Sequence, residues 1–396
     1  MKFKKLALIA IFIAAVSLVT AQTTVVVDEP GMIDVRSLGM GGTHIVDTND
    51  FYTLLKNPAG LAFTGKKNMI SVIAVNVGGP LDKVPGIIDD LNMGKQVEDI
   101  IPAIVADGMN VNLNLGLDGP ICFGKISETG FGWGFFETVN VDANIPSITL
   151  AKLTAKVEMG FVMGFGFKFD LGAGTSVSVG ASGEAFAQIP RIAMQDSLTN
   201  ILASVQEGTE NLPFTSAIGL SCDVGAQVRL LNFIDAAIVW EDIFSPYFTK
   251  TTTLGEVEQD PSVLYSDFGN PTFQAMNFRV GAGVNVFPNG ALGGLISSLK
   301  VQLDIKDFGL FFRHFIDKEL SALERSPWLN FSAGVEAGLM SFIYARLGYS
   351  DGFLSLGASV KLGALNLDAA IYTRELGRTP GANNQLNVAV SLGLFY

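Results

Sequence analysis

A stretch of strict alternation between residues 152 and 171 constrains the fold most strongly. Ten apolar side chains occupy its odd positions from Leu153 to Leu171, whereas the even positions carry charged residues, threonine and glycine, with Val162 as the exception. A period of two is typical of a β-strand. This strand exceeds the usual length of about five or six residues, and a tilted strand crosses a bilayer with about 9–11. The pattern therefore predicts a transmembrane β-barrel, with lipid on the apolar face and the lumen on the polar face.

The composition agrees with a barrel better than with other classes. Hydrophobic residues make up 48% of the 396-residue chain and charged residues 16%, whereas soluble domains average about 25% charged. Beyond residue 21 the chain has no apolar run of about 18 residues, which a membrane-spanning helix requires. An unusually apolar soluble protein remains the alternative, but the 44 glycines and 29 phenylalanines favour the barrel.

The same alternation recurs along the chain and predicts about fourteen antiparallel strands. Connections after even-numbered strands are short, and most connections after odd-numbered strands are long, as in outer-membrane barrels. The strands are expected near residues 68–77, 117–126, 130–140, 154–171, 174–189, 215–231, 233–244, 273–287, 299–307, 328–340, 342–350, 352–363, 365–374 and 385–396.

The first residues indicate export. Lys2, Lys4 and Lys5 precede an apolar core, and a small residue, Ala21, follows it, which is typical of a signal peptide cleaved near Ala21. An uncleaved anchor is the alternative. We expect a signal peptide at 1–21, a leader and hatch at 22–67 and a barrel at 68–396. Losing the three lysines changes the net charge from −12 to −15, and such an acidic chain disfavours nucleic-acid binding.

No arrangement of residues indicates catalysis, a cofactor or a metal. His44 and His314 have no histidine near them in sequence, and no Ser/His/Asp pattern is evident. Cys122 and Cys222 are expected to be separate thiols that face lipid or core, although a disulfide between them stays open. The acids on the strands are expected to face the lumen and pair with lysines and arginines: Glu137, Glu158, Asp170, Glu184, Asp223, Asp304, Glu336 and Asp368.

Two long connections carry a helical spacing of apolar residues, one within residues 192–205 and one in the first loop. These apolar faces either pack on the barrel rim or receive an apolar ligand, because a large apolar surface on exported loops needs such an explanation. The candidate ligand-binding residues are Ile87, Ile88, Leu91, Ile101, Ile104, Leu198, Ile201, Leu202 and Val205.

The stretch from Arg36 to Phe63 is too irregular for a strand. Its glycines allow tight turns, and Asn57-Pro58 is typical of a turn or cap; a phosphate-binding loop is disfavoured because no Gly-Lys-Ser/Thr follows. The pattern RSLGMGG…NPAGLA resembles the N-terminal hatch of the FadL-type (FadL/TodX) transporter superfamily, which includes spirochaetal FadL-like and PorV-like members. The chain also ends in an alternating strand with a terminal aromatic, Tyr396, which resembles the assembly signal of outer-membrane barrels. The resemblance implies that the hatch and its gating depend on Gly39, Gly41, Gly42, Asn57, Pro58, Ala59 and Gly60.

The resemblance implies passive uptake of hydrophobic small molecules, such as long-chain fatty acids, across the outer membrane of a diderm bacterium. The expected partners are this ligand, outer-membrane lipid and the barrel-assembly machinery. A PorV-like structural or secretion-associated barrel that docks a secreted or surface protein is the alternative, and a general aqueous porin is a third. A barrel with a seated hatch predicts little conductance, which separates the first two from the third.

Overall fold

The computed structural model describes residues 32–47, 51–65, 67–80, 86, 89–90, 93–94, 109–147, 149–197, 200–201, 213–264, 266, 268–287, 290–309, 311 and 325–395. The predicted signal peptide lies outside these residues, so it stays a prediction together with the proposed domain boundaries. Among the described residues, no helix is long and apolar enough to cross a membrane.

Fourteen antiparallel strands close into a barrel, as the alternation predicted. Each strand pairs with the barrel strands before and after it, the first pairs with the last, and the fifth pairs with the sixth to complete the wall. The barrel strands are β1 (Lys67–Gly78), β2 (Met109–Ile126), β3 (Thr129–Ser147), β4 (Leu150–Gly172), β5 (Thr175–Asp196), β6 (Pro213–Leu230), β7 (Ile234–Glu241), β10 (Asn277–Asn285), β11 (Ile296–Ile305), β12 (Phe331–Leu339), β13 (Ile343–Ser350), β14 (Phe353–Leu362), β15 (Leu365–Glu375) and β16 (Asn384–Phe395).

Two short strands, β8 (Pro246–Thr253) and β9 (Thr272–Phe273), add to the wall where a loop was expected. β6 pairs with β7 along one half and with β8 along the other, so β8 continues the line of β7 after a break at residues 242–245. The sequence of β8 is mostly threonine and lysine and has no apolar alternation, which explains why the pattern did not reveal it. The helix expected within residues 192–205 was also wrong for 192–196, because these residues form the end of β5.

The alternation has the expected orientation on β4, where the side chains of Met163, Phe165 and Phe169 are exposed on the outer face. Glu158, at an even position of the same pattern, is buried on the inner face. Cys122 and Cys222 are both free thiols. The orientation expected for Glu137 was wrong: it pairs with the exposed Met159 and therefore projects from the outer face.

The N-terminal hatch, defined here as described residues 32–47 and 51–63, lies inside the barrel. It contains α1 (Val35–Gly39), α2 (Thr53–Lys56) and a 3-10 helix, Pro58–Phe63. α1 packs against β13 to β16, and the 3-10 helix packs against β3 to β6, so the hatch reaches opposite sides of the wall. Apolar contacts complete the packing, because Leu54 and Leu61 are buried with Ile121 and Val162 of the wall.

Candidate functional site: the hatch and the chamber beside it

An ion-pair chain joins α1 to the inner wall. Both guanidinium nitrogens Nε and Nη2 of Arg36 donate to the Glu336 carboxylate of β12, each at 2.9 Å. Glu336 also accepts from Arg346 Nε of β13 at 2.7 Å, and Arg346 Nη1 donates to Asp368 of β15 at 3.1 Å. Two-pronged arginine–carboxylate pairs fix orientation as well as charge, so this chain defines where α1 sits.

Asp47, at the end of the first hatch segment, joins the same network. Its carboxylate pairs with Arg36, and its second oxygen lies 3.5 Å from Lys300 Nζ of β11. Burial alone would raise the pKa of Asp47, but Arg36, Lys300 and His44 outweigh burial and hold this pKa well below its usual range. Asp47 therefore stays ionised and bridges the positive charges of Arg36 on the hatch and Lys300 on β11.

His44 lies at the centre of a second set of contacts. Its Nδ1 lies 2.8 Å from Asp34 Oδ2, and its backbone N–H, with that of Ile45, donates to the Asp304 carboxylate of β11 at 2.5 and 3.0 Å. Burial would raise the pKa of Asp34, but His44, the Ser37 N–H and Arg36 lower it overall. Within the described residues, no cluster of three or more metal-binding side chains occurs.

Asn57 and Pro58 shape the second half of the hatch. Asn57 Oδ1 accepts from the Ala59 N–H at 3.1 Å, which caps the 3-10 helix, and Pro58 occupies its first position. Asn57 Nδ2 donates to the Ile45 carbonyl at 2.7 Å and to Gln227 of β6 at 3.3 Å. One amide thus ties both halves of the hatch to the wall, while the N–H of Gly60 donates to the Asn57 carbonyl at 3.0 Å.

The hatch requires glycine for two different physical reasons. Gly41 and Gly42 have φ of +71° and +81°, a left-handed conformation that glycine adopts without strain. Gly39 has an ordinary φ, but a Cβ there would lie 2.8 Å from the Cα of Gly357 on β14. Gly39 is therefore a point of close approach between two backbones.

The inner wall carries a girdle of glycines that faces the hatch. A Cβ on any of them would collide with a hatch atom, because the hatch backbone lies directly against the strands. Wall glycines are expected where another backbone approaches closely. The girdle consists of Gly130, Gly166, Gly180, Gly225, Gly281, Gly334, Gly348 and Gly357. It spans β3 to β6 on one side and β10, β12, β13 and β14 on the other.

A chamber of about 530 Å³ lies between the hatch and the end of the barrel that carries the short turns. One side is apolar and aromatic and is formed by Phe51, Met69, Val72, Phe123 and Phe395. The other side is charged and is formed by Arg36, Lys300, Glu336, Arg346, Lys361 and Asp368. A chamber of this size and mixed lining can hold a small amphiphile.

The predicted outer-loop ligand residues fall almost wholly outside the described part of the chain. Ile201 alone is described; it is buried and packs with Ile145 and Ala151 in a small apolar cluster. This contact agrees with packing of the loop on the barrel and does not test ligand binding. The other candidates lie outside the described residues: Ile87, Ile88, Leu91, Ile101, Ile104, Leu198, Leu202 and Val205.

No protein-family model and no curated protein matches the chain. Among solved structures, the ΔS2 mutant of the TodX monoaromatic hydrocarbon channel aligns with a TM-score of 0.50 at 12% identity, covering 91% of this chain and 98% of that one. The Pseudomonas putida toluene transporter TodX aligns with a TM-score of 0.48 at 11% identity, covering 90% of this chain and 96% of that one. A Pseudomonas aeruginosa FadL homologue aligns with a TM-score of 0.43 at 11% identity, covering 91% of this chain and 97% of that one. The first of these alignments shows that the chain shares the fold of the TodX channel, a FadL-type channel, as the hatch pattern predicted.

Proposed function

We propose that this protein is an outer-membrane channel for passive uptake of hydrophobic small molecules of the long-chain fatty-acid type, and that its hatch is the gate. The fold is shared with the TodX monoaromatic hydrocarbon channel. An apolar outer face and an exported chain are consistent with the outer membrane. The proposed signal peptide at 1–21 would direct the chain there and be removed near Ala21.

The observation that carries the proposal is the chamber beside the hatch. Its apolar side suits a hydrocarbon chain, and its charged side, with Lys361 and Lys300, suits a carboxylate. The polar head of a long-chain acid has a high free energy in hydrocarbon, and its apolar tail is excluded from the polar cell surface. A passage with an apolar side and a charged side accommodates both parts. Gly39–Gly42 and Asn57–Gly60 are the hatch residues whose backbone geometry sets the closed state.

The competing function, docking of a partner protein by a PorV-like barrel, predicts a stable protein partner and no need for an internal ligand chamber. The chamber of about 530 Å³ favours uptake. Mass spectrometry of the protein after gentle detergent extraction separates the two functions. Retained fatty acids or similar apolar molecules support uptake, and a stoichiometric protein without any such molecule supports docking.

A transport assay completes the test. Reconstituted protein should admit a fluorescent long-chain fatty acid into liposomes faster than protein-free liposomes, at low ionic conductance because the hatch fills the lumen. A large steady conductance without fatty-acid dependence would identify an aqueous porin instead.

A further inference from the structure

One row of outward-facing residues crosses six neighbouring strands of the wall. Each member pairs directly with the next across β2, β3, β4, β5, β6 and β8. The row is Leu117, Glu137, Met159, Ala187, Ile218 and Phe248. It is apolar except for Glu137, which lies near one end.

A groove of about 600 Å³ follows this row on the outer face. The small side chains of Ala185 and Ala187 form its floor, and Phe161 and Leu220 rise beside it. Strands β4, β5 and β6 pair without a break at these positions, whereas the β2–β3 register shifts between Asp118 and Ile121 at the edge of the groove. On the inner side the ring of Phe186 packs over Gly219. The groove therefore opens towards lipid and is separate from the chamber beside the hatch.

Glu137 is exposed within this apolar surface. Its partners across the strands, Leu117 and Met159, are exposed apolar residues, and Phe135 and Val139 flank it on the same face of β3. Within the described residues it has no ion pair and no side-chain hydrogen bond. A carboxylate that faces lipid without a partner is unfavourable, so a cation placed beside it gains free energy.

We propose that this groove binds a single-chain amphiphile with an amine head, the ammonium lying against the Glu137 carboxylate and the chain lying over Ala185 and Ala187 towards Phe248. The volume falls in the range of small-molecule pockets, whereas a protein partner would need an interface of roughly 1,200 Å² or more. The sign of the charge selects an amine and disfavours a fatty acid. The site is independent of the hatch and of the proposed uptake route.

The test compares dodecylamine with dodecanoate and dodecanol on the purified full-length protein by native mass spectrometry. We expect dodecylamine to bind at least about tenfold more tightly than dodecanoate or dodecanol, as a charge-assisted hydrogen bond in an apolar setting should provide. A diazirine on the tail of the amine should cross-link to peptides of β5 and β6. Glu137→Gln should remove the preference for the amine.

Three further variants separate the groove from the charge. Ala187→Phe should fill the floor and abolish amine binding with the carboxylate intact, and Ala181→Phe, outward on β5 but outside the groove, should not. Leu367→Glu places a carboxylate on the outer face of β15, away from the groove, and should create no amine site.

Three results would overturn the proposal and indicate ordinary contact with bilayer lipid: equal binding of amine and dodecanoate, full amine binding by Glu137→Gln, or cross-links spread around the barrel. If dodecanol binds as tightly as the amine, the proposed recognition of a cationic head is wrong.

Discussion

Arg36 of the hatch and Glu336 of β12 are 300 residues apart in sequence and share two hydrogen bonds of 2.9 Å. The Glu336 carboxylate lies between two guanidinium groups, because Arg346 approaches it from the neighbouring strand at 2.7 Å. Removing the negative charge would leave two cations facing each other across the contact between hatch and wall. This carboxylate is therefore the most sensitive electrostatic point of the closed state.

Glu336→Gln should loosen the hatch while the barrel stays assembled. Removing one partner of a buried ion pair costs roughly 3–5 kcal/mol, and we expect the low end because Arg36 is partly exposed. The barrel strands keep their backbone pairing, so the loss should fall on the hatch. Planar-bilayer recordings should show more frequent open events, and hydrogen exchange should increase at residues 35–47.

Glu128→Gln is the matched control for that experiment. Glu128 is an exposed glutamate in the turn between β2 and β3, and its oxygen lies 3.9 Å from Lys168 Nζ. Exposed pairs contribute about 0–1 kcal/mol, so this variant should behave as wild type. Equal behaviour of both variants would show that the Arg36–Glu336 contact does not hold the hatch.

Gly348→Ala should displace the hatch by steric contact alone. A methyl group at this position of β13 would overlap the backbone nitrogen of Gly41 and the backbone carbonyl carbon of Met40. Because both atoms belong to the hatch backbone, neither can move aside as a side chain would. Overpacking of this kind typically costs about 1–3 kcal/mol. We expect increased proteolysis of the hatch and raised conductance in the folded barrel.

The control is Gly183→Ala on β5, where the nearest atom to a Cβ, the Ser221 carbonyl oxygen, is 3.9 Å away. Both substitutions place alanine in a barrel strand, so they share any change in strand propensity. If Gly183→Ala opened the channel as much as Gly348→Ala, close packing against the hatch would not be the cause.

The barrel could be predicted from the sequence because its signal is periodic. Each strand repeats apolar and polar residues with the period of the backbone, and lipid outside keeps that contrast along the whole strand. Strand β8 was not predicted because its threonines and lysine do not alternate in hydropathy. Glu137 was assigned to the lumen by its charge, although its even spacing from Phe135 and Val139 already indicated the outer face.

The arrangement of the candidate site was harder to predict. The sequence identified Glu336, Arg346 and Asp368 as lumen residues but could not say that Arg36 joins them, since the partners are some 300 residues apart and no local pattern links them. The glycine girdle was visible only as glycines alternating with apolar residues, as at Gly166 between Phe165 and Phe167. Its purpose becomes clear once the hatch backbone is seen against the strands.

Protonation of Asp47 should loosen the hatch only at low pH. Burial would raise the pKa of Asp47, but Arg36 and Lys300 hold this pKa well below its usual value of 3.8. A carboxylate with a lowered folded-state pKa contributes stability that is fully present above its unfolded pKa and is lost as pH falls through the folded pKa. The contribution of Asp47 to protection of the hatch against hydrogen exchange, measured as the difference between wild type and Asp47→Asn, should therefore be complete above about pH 5 and be lost only below about pH 4.

Asp47→Asn tests that assignment. The variant should have a looser hatch at neutral pH and a smaller further loss on acidification, because the titrating group is gone. Glu256→Gln is a suitable control, since Glu256 also has a lowered pKa, through hydrogen bonds from the Thr252 hydroxyl and the Thr253 N–H, but lies in an exposed helix, Leu254–Gln259, away from the hatch. An unchanged acid response in Asp47→Asn would assign the transition to other carboxylates.

Lys361 should select the acid head of a ligand in the chamber. It lines the chamber from β14, with its Nζ 4.3 Å from the centre of the Tyr344 ring, and it is exposed to the chamber space. Lys361→Gln should lower the affinity for dodecanoate by about tenfold, the equivalent of one charge-assisted hydrogen bond, and leave the affinity for dodecanol unchanged.

Lys168→Gln is the control and should change neither affinity. It removes a cation that lies outside the chamber lining and pairs with Asp170 at 2.8 Å. If both ligands lose affinity equally in Lys361→Gln, the lysine shapes the chamber and does not bind the carboxylate.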